Sequence, residues 1–205
     1  MTETATVIVV DDDPLIREAL SRLMRSVGVR AKTLASVSEF LDEGRSDVPT
    51  CLVLDVRLPG RSGLDLQREL TASNIKIPII FITAHADIRM SVQAMKEGAI
   101  DFLTKPFRDQ DLLDAIQQGL ERDRARLEDE KTIAVLRARF ESLTSREREV
   151  MAIVVTGRLN KQTAADIGVS EITVKVHRGN VMRKMSASSL PDLARMADKL
   201  NLVRQ

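Results

Sequence analysis

The sequence predicts an α/β domain built on a five-stranded parallel sheet, followed by an all-α domain of four short helices, with a long helix joining the two. Three observations predict it. Between residues 6 and 120, strand-like and helical stretches alternate five times, the pattern of a right-handed parallel sheet covered by helices. Residues 110–141 contain no proline and only one interruption, Gly119, in a helix-compatible stretch. Residues 142–205 then read as short helices with a glycine turn in their midst, a helix-turn-helix unit.

Charge divides the chain in the same way. Residues 1–120 hold 14 basic and 18 acidic groups, net −4; residues 121–141 hold six of each; residues 142–205 hold 11 basic and six acidic, net +5. An acidic front and a basic tail imply different partners, and the tail is a candidate for phosphate-backbone contact. No apolar run approaches the roughly 20 residues that span a bilayer. The start, Met1-Thr2-Glu3-Thr4, lacks the features of a signal peptide, so a cytoplasmic protein with no membrane partner is expected. The single Cys51 excludes an internal disulfide, fits a reducing cytosol, and reads as an inert core thiol.

Taken in order, Thr6-Val7-Ile8-Val9-Val10 is a buried strand that ends in Asp11, Asp12 and Asp13. Pro14 stands at the favoured first position of a helix, and Ile16, Leu20, Leu23, Met24 and Val27 recur at helical spacing until Gly28 stops it. Residues 29–34 read as a second strand, and Ser36-x-x-Glu39 as a capping box for a short helix through Phe40 and Leu41. Cys51-Leu52-Val53-Leu54-Asp55 is the third strand, apolar on both faces and bounded by a turn at Pro59-Gly60, with a helix around residues 64–70 behind it. Residues 78–83 form a fourth strand, residues 87–96 a helix ended by Gly98, and residues 100–103 a fifth strand closed by Lys105-Pro106.

The next helix starts near Asp109, with Leu113, Ile116 and Leu120 expected against the sheet. Beyond them the alternating charges of Glu121-Arg122-Asp123-Arg124 mark a solvated helix. Residues 121–141 are therefore a partly exposed linker helix; Leu120, Leu127 and Ala134 keep a heptad spacing that fits weak pairing between subunits or a plain spacer. In the tail, Thr144-x-x-Glu147 is a second capping box, for a helix through Val155 ended by Gly157. Residues 161–167 form a short helix, Gly168-Val169-Ser170 a tight turn, residues 171–185 another helix and residues 189–200 the last.

Asp11, Asp12, Asp55, Thr83 and Lys105 stand at or just beyond the C-terminal ends of strands, the edge where open parallel sheets bind ligands. Three carboxylates brought together repel unless a cation neutralises them, and oxygen ligands without His or Cys select a hard ion, Mg²⁺ before Ca²⁺. Asp55 then reads as a nucleophile that accepts a phosphoryl group, with Lys105 offering positive charge and Thr83 a hydroxyl to its oxygens. His85 has no second His or Cys at ligand spacing and reads as a loop histidine. On the helix of residues 171–185, Val174, His177 or Arg178, Val181 and Met185 share a buried face. Lys175, Val176, Gly179 and Arg183 lie opposite, fit for a major groove, with Lys161, Arg178 and Lys184 as phosphate contacts. The absence of any aromatic from residues 142–205 argues against stacking on single strands.

Val10-Asp11-Asp12-Asp13, Leu54-Asp55-Val56-Arg57-Leu58-Pro59-Gly60, Ile82-Thr83-Ala84-His85 and Phe102-Leu103-Thr104-Lys105-Pro106-Phe107 resemble the receiver domain of two-component response regulators over about residues 5–120. The resemblance implies a flavodoxin-like fold of five strands and five helices across residues 1–120. It makes Asp55 the acceptor of phosphate from a sensor histidine kinase. Asp12 and Asp55 would ligate Mg²⁺ directly, Asp11 through water, and the Arg57 carbonyl as a further ligand. Thr83 and Phe102 match the family's switch pair, and the Lys105-Pro106 bond is expected to be cis. The chain would be a phosphoacceptor that assists its own phosphorylation and dephosphorylation, not a turnover enzyme.

The tail carries Leu143-Thr144-x-Arg146-Glu147-x-Glu149-Val150, Asn160-Lys161-Gln162-x-Ala164 and Thr173-Val174-Lys175-Val176-His177-Arg178-x-Asn180-Val181-Met182-x-Lys184-Met185. It resembles the LuxR/NarL-type DNA-binding domain over about residues 140–203, which makes residues 142–205 that domain, and both domains together look most like the FixJ and StyR subgroup. That resemblance adds Thr173 and Asn180 to the expected DNA-binding set. It implies a transcription regulator that dimerises on phosphorylation and binds double-stranded promoter DNA, with RNA polymerase a possible further partner. Leu190, Leu193, Met196, Ala197 and Leu200 on the last helix suit the dimerisation the family implies, or the domain's own core. Two departures are Gly179, where some relatives carry a basic residue, and Ala86, where close relatives have glycine. Competing readings are an aspartyl phosphohydrolase, which wants a second acid where Arg57 stands, a protein-binding tail, and DNA binding independent of phosphate.

Overall fold

Val7 and Val9 are buried on one face of β1 (Thr6–Val10) and Ile8 and Val10 on the other, so this segment belongs in the middle of a covered sheet. The computed structural model, which describes residues 5–43, 47–85 and 87–202, puts it there. Helix α1 (Pro14–Ser26) leads to β2 (Arg30–Leu34), and α2 (Val37–Asp42) to β3 (Thr50–Asp55). A two-strand ribbon follows, β4 (Arg57–Leu58) and β5 (Arg61–Ser62), then α3 (Gly63–Ala72), β6 (Ile79–Thr83), α4 (Ile88–Lys96) and β7 (Asp101–Thr104). The five long strands are all parallel, in the order β2-β1-β3-β6-β7. Counted in chain order this is the flavodoxin-like 2-1-3-4-5 arrangement, whose ligand crevice lies beyond the carboxyl ends of β1 and β3.

Alternation of side chains across the sheet makes two cores. Ile8, Val10, Leu52, Leu54 and Phe81 meet α2, α3 and α4, while Val7, Val9, Cys51, Val53 and Ile80 meet α1 and the helix after β7. That helix, α5 (Asp109–Glu141), runs unbroken for 33 residues. Leu112 is its deepest residue on the sheet side; Leu113, expected there, is only partly buried. Gly119 has a packing reason: a Cβ there would lie 2.6 Å from Cys51 Sγ. Burial, aided by the charge of Asp123, pushes the Cys51 thiol up to about 12, which leaves it inert.

Two expectations need correction, and a third gains a role. Asp123, read as part of a solvated face, is buried. Its Oδ2 accepts the Thr50 N–H at 2.8 Å and its Oδ1 accepts Arg126 Nε at 2.7 Å, so the helix is tied to the start of β3. Ser36 caps α2 by accepting the Glu39 N–H, but the Glu39 carboxylate turns to the Ala35 N–H, so the reciprocal half of that capping box is missing. Pro59-Gly60 does more than bound a strand, because Gly60 at φ +77° lets β4 fold back on β5. The altered loop expected at Ala86 lies outside the described residues.

The chain divides into compact units Met1–Leu127 and Glu128–Gln205. In the second, α6 (Ser145–Val154), α7 (Asn160–Ile167), α8 (Glu171–Met185) and α9 (Leu190–Lys199) close around Val150, Met151, Val154, Val174, Val181 and Met185. Gly168 at φ +68° makes the turn between α7 and α8. Leu193 and Ala197 of α9 are fully buried, with Leu190, Met196 and Leu200 packed beside them, so the apolar face of α9 serves the domain's own core. Among the described residues no helix is long and apolar enough to cross a membrane.

Candidate functional site

β1 and β3 are neighbours in register, Val10 opposite Leu54, so the residues that follow them, Asp11 and Asp55, emerge together at one edge of the sheet. β7 pairs with β6, and the Thr83 carbonyl accepts the Lys105 N–H at 2.8 Å, which aims the lysine back across that edge. The Lys105 ammonium donates to Asp11 Oδ2 at 2.6 Å and to Asp55 Oδ2 at 2.7 Å. Asp55 Oδ1 accepts the Arg57 N–H at 2.9 Å, and Asp11 Oδ1 accepts the Asp13 N–H at 2.9 Å. Asp11 and Asp55 are buried and Asp12 is exposed. Each of the three can bring one carboxylate oxygen within 4.8 Å of the others, the one such grouping of His, Cys, Asp or Glu among the described residues.

Burial pushes the Asp11 carboxyl up, outweighing the hydrogen bonds from Lys105 and the Asp13 N–H that favour its anion. Burial works to lower Lys105, but its hydrogen bonds to Asp11 and Asp55 outweigh that and hold it above its ordinary value. One ammonium thus leaves Asp11 short of compensation. An all-oxygen donor set in that electrostatic state fits a hard divalent cation.

The remaining expected residues fall around this pocket. Thr83 is fully buried, and its hydroxyl is engaged with the backbone N–H and carbonyl of His85, both at 3.3 Å. Phe102 is half-buried, its ring 6.0 Å from that of Phe81. His85 is exposed, and the Lys105-Pro106 bond is cis.

Two supporting residues escape a sequence reading. Arg17, one turn into α1, donates to the carbonyls of Asp11 and Asp12 at 2.6 and 2.9 Å and pins the acidic loop; its place on the helix that follows three acids is the signal that points to it. Gly63 opens α3 where a Cβ would lie 2.4 Å from the Asp55 carbonyl oxygen, a clash with no local sequence signature.

In the second unit, Lys161 and Lys175 are exposed and make no hydrogen bond or ion pair among the described residues. Val176 and Gly179 are exposed on the same helix. Arg178 donates to Asn160 Oδ1 at 3.0 Å and Arg183 to Asn180 Oδ1 at 3.2 Å; Thr173 is drawn into the Ser170 cap of α8. Lys184, expected at a phosphate, is instead the counter-charge of a buried acid: its Nζ donates to Glu147 Oε2 at 2.6 Å and to the Ser142 carbonyl at 3.2 Å.

Glu147 also completes the Thr144 capping box. The Lys184 hydrogen bond, followed by that of the Thr144 N–H, pulls its carboxyl from the ordinary 4.5 down to about 2. A depressed acid stabilises fully above its unfolded value, so this contribution is complete above pH 4.5 and is lost as the pH falls toward 2. Glu147→Gln, which keeps the cap but not the charge, is expected to cost about 2 kcal/mol near neutral pH. That cost should shrink on acidification, as measured by thermal melting of the full chain. A cost independent of pH would show that the ion pair contributes nothing.

Comparison with known proteins covers nearly the whole chain. The model of the response regulator receiver domain matches residues 7–117, and that of the bacterial regulatory proteins of the luxR family matches residues 141–197. Nodulation protein W of Bradyrhizobium diazoefficiens is 56% identical over 198 residues, which cover 97% of this chain and 87% of that protein. Response regulator protein TmoT of Ectopseudomonas mendocina is 48% identical over 198 residues, covering 97% and 90%. Among solved structures, the chain is similar to the response regulator StyR at a TM-score of 0.84 and 49% identity, over 96% of this chain and 99% of that one. It is also similar to full-length FixJ from B. japonicum at a TM-score of 0.58 and 36% identity, over 98% and 99%.

Proposed function

This chain belongs to the response regulators that join a receiver domain to a LuxR-type DNA-binding domain, and from that membership we propose that Asp55 accepts a phosphoryl group from a sensor histidine kinase. The observation that carries the proposal is the Lys105 ammonium held between Asp11 and Asp55 at the carboxyl end of the sheet. A carboxylate oxygen of Asp55 forms the new O–P bond as the N–P bond of the kinase's phosphohistidine breaks, leaving an aspartyl phosphate. Lys105 faces the incoming oxygens with positive charge, and the Arg57 N–H orients the Asp55 carboxylate. Asp11, Asp12, Asp55 and the Arg57 carbonyl would hold Mg²⁺, which when bound neutralises charge on the phosphoryl oxygens.

Thr83 and Phe102 carry the signal outward. The Thr83 hydroxyl exchanges its His85 backbone partners for a phosphoryl oxygen, and the half-buried Phe102 ring moves into the space it leaves. Receiver pairing follows and brings two basic domains onto adjacent half-sites of promoter DNA, where RNA polymerase is a further partner. Lys161, Lys175 and Arg178 contact the duplex, and Lys184 is left out because Glu147 engages it. With no spanning helix among the described residues, the cytoplasm is the proposed compartment. The test is incubation of the full chain with Mg²⁺ and acetyl phosphate. One hydroxylamine-labile phosphoryl group per chain is expected by intact mass, and none with excess EDTA; an unlabelled chain in the presence of Mg²⁺ defeats the proposal.

A further inference from the structure

At the edge of the sheet opposite the acids, where β3 and β6 begin at Thr50 and Ile79, the first unit holds a cleft in two chambers of about 350 and 220 Å³. Together they fall in the range of small-ligand sites, roughly 300–1,000 Å³. Asn74 at φ +54° turns the chain after α3, and the Ile75 N–H donates to the Leu70 carbonyl at 2.8 Å, which lays Ile75 and Lys76 along both chambers. The smaller chamber is walled mostly by Ile8, Phe40, Leu41, Leu70, Ile75 and Ile77. The larger one holds acceptors with nothing to accept. Gln67, 2% exposed, is anchored by its Nε2, which donates to the Ala94 carbonyl at 3.1 Å, and its Oε1 is buried with no partner among the described residues. Glu97 Oε1 is taken by Gln93 and Arg68, while its Oε2 is likewise buried and unpartnered. On the rim of the same chamber, Lys76 and Arg122 are exposed and make no hydrogen bond or ion pair among the described residues.

We infer that this cleft binds a free apolar α-amino acid of about the size of leucine or phenylalanine. Its ammonium donates to Gln67 Oε1 and Glu97 Oε2, its carboxylate meets Lys76 and Arg122, and its side chain fills the apolar chamber. A buried acceptor is costly to leave unpaired, and an ammonium, with three donors, serves both oxygens at once. Water can serve the two oxygens as well, yet it leaves the apolar wall and the two cations unused. A zwitterion with an apolar body complements all three. The other charged residues at the cleft, Asp123 and Arg126, are engaged with each other, the Arg126 Nε donating to Asp123 Oδ1 at 2.7 Å, and so add no further demand. Asp55 ends the strand that Thr50 begins, so this site is separate from the phosphoryl pocket and does not depend on it.

The test titrates the unphosphorylated full chain with L-leucine and L-phenylalanine by isothermal calorimetry, and saturable binding to one site is expected for both. Isoamylamine (leucine without its carboxylate), isocaproate (leucine without its amine) and glycine, which lacks the apolar body, should each bind about tenfold more weakly than L-leucine. Glu97→Gln should weaken L-leucine by about tenfold and leave isocaproate unchanged, a selectivity that a merely structural loss would not show. Lys76→Ala combined with Arg122→Ala should weaken L-leucine and isocaproate and spare isoamylamine; both residues are exposed, so the fold is kept. The inference is overturned if neither amino acid binds below about 10 mM. It is equally overturned if the amine, the acid or glycine binds as tightly as L-leucine, or if both variants bind L-leucine as the parent does.

Discussion

Asp55→Asn is expected to take up no phosphoryl group from acetyl phosphate and Mg²⁺ under conditions that label the parent chain fully. An amide oxygen lacks the negative charge that attacks phosphorus, and no neighbour replaces it, because Asp11 is held by the Asp13 N–H and Lys105 while Asp12 stands exposed. The substitution should leave the fold intact. Asparagine has nearly the same volume, and its Oδ1 can still accept the Arg57 N–H bonded there at 2.9 Å. Its amide nitrogen faces the Lys105 ammonium, which then relies on Asp11 alone. Intact-mass measurement beside a thermal melt separates the two effects. Equal labelling of variant and parent removes Asp55 from the role assigned to it.

Lys105→Ala carries the second large effect, a slowing of phosphoryl uptake by roughly 10²- to 10³-fold, the usual loss when one preorganised donor to developing charge is removed. The nucleophile remains, so the phosphoryl group still arrives at Asp55, only late. That separates this variant from Asp55→Asn, in which no time of incubation suffices. The lysine reaches both acids at hydrogen-bond distance, and its removal leaves two buried carboxylates without a counter-charge. Stopped reactions with acetyl phosphate, followed by mass, give the rate. A variant as fast as the parent would confine Lys105 to a structural role.

Much of this was legible along the chain. The three central strands are nearly unbroken apolar runs, Pro14 and the Ser and Asp caps announce helix starts, and Gly28, Gly98 and Gly168 announce turns, all through conformational preferences that act within a few residues. The acids and Lys105 were legible because parallel topology sends the ends of neighbouring strands to one edge. The Thr144-Glu147 capping box was legible as a four-residue pattern, whereas the partnership of Glu147 with Lys184 was not, because 37 residues separate them. Asp123 misled for the same reason. Its sign alternation with its neighbours is a property of the helix, and its burial against the Thr50 N–H is a property of the fold.

Periodicity, caps and turn residues therefore settled the succession of elements, the parallel sheet and the residue types at its reactive edge, since each acts over less than about four helical turns. Folding in three dimensions settled which charges meet: Lys105 reaches Asp11 across 94 residues of chain, Asp123 reaches Thr50 across 73, and Gly63 stands under the Asp55 carbonyl where no side chain fits. It also turned the apolar face of α9 inward and left Ile172 and Val176 outside. Ion pairs and close packing depend on distance in space, and no local pattern encodes the distance between segments that only the closed sheet and the packed helices bring together.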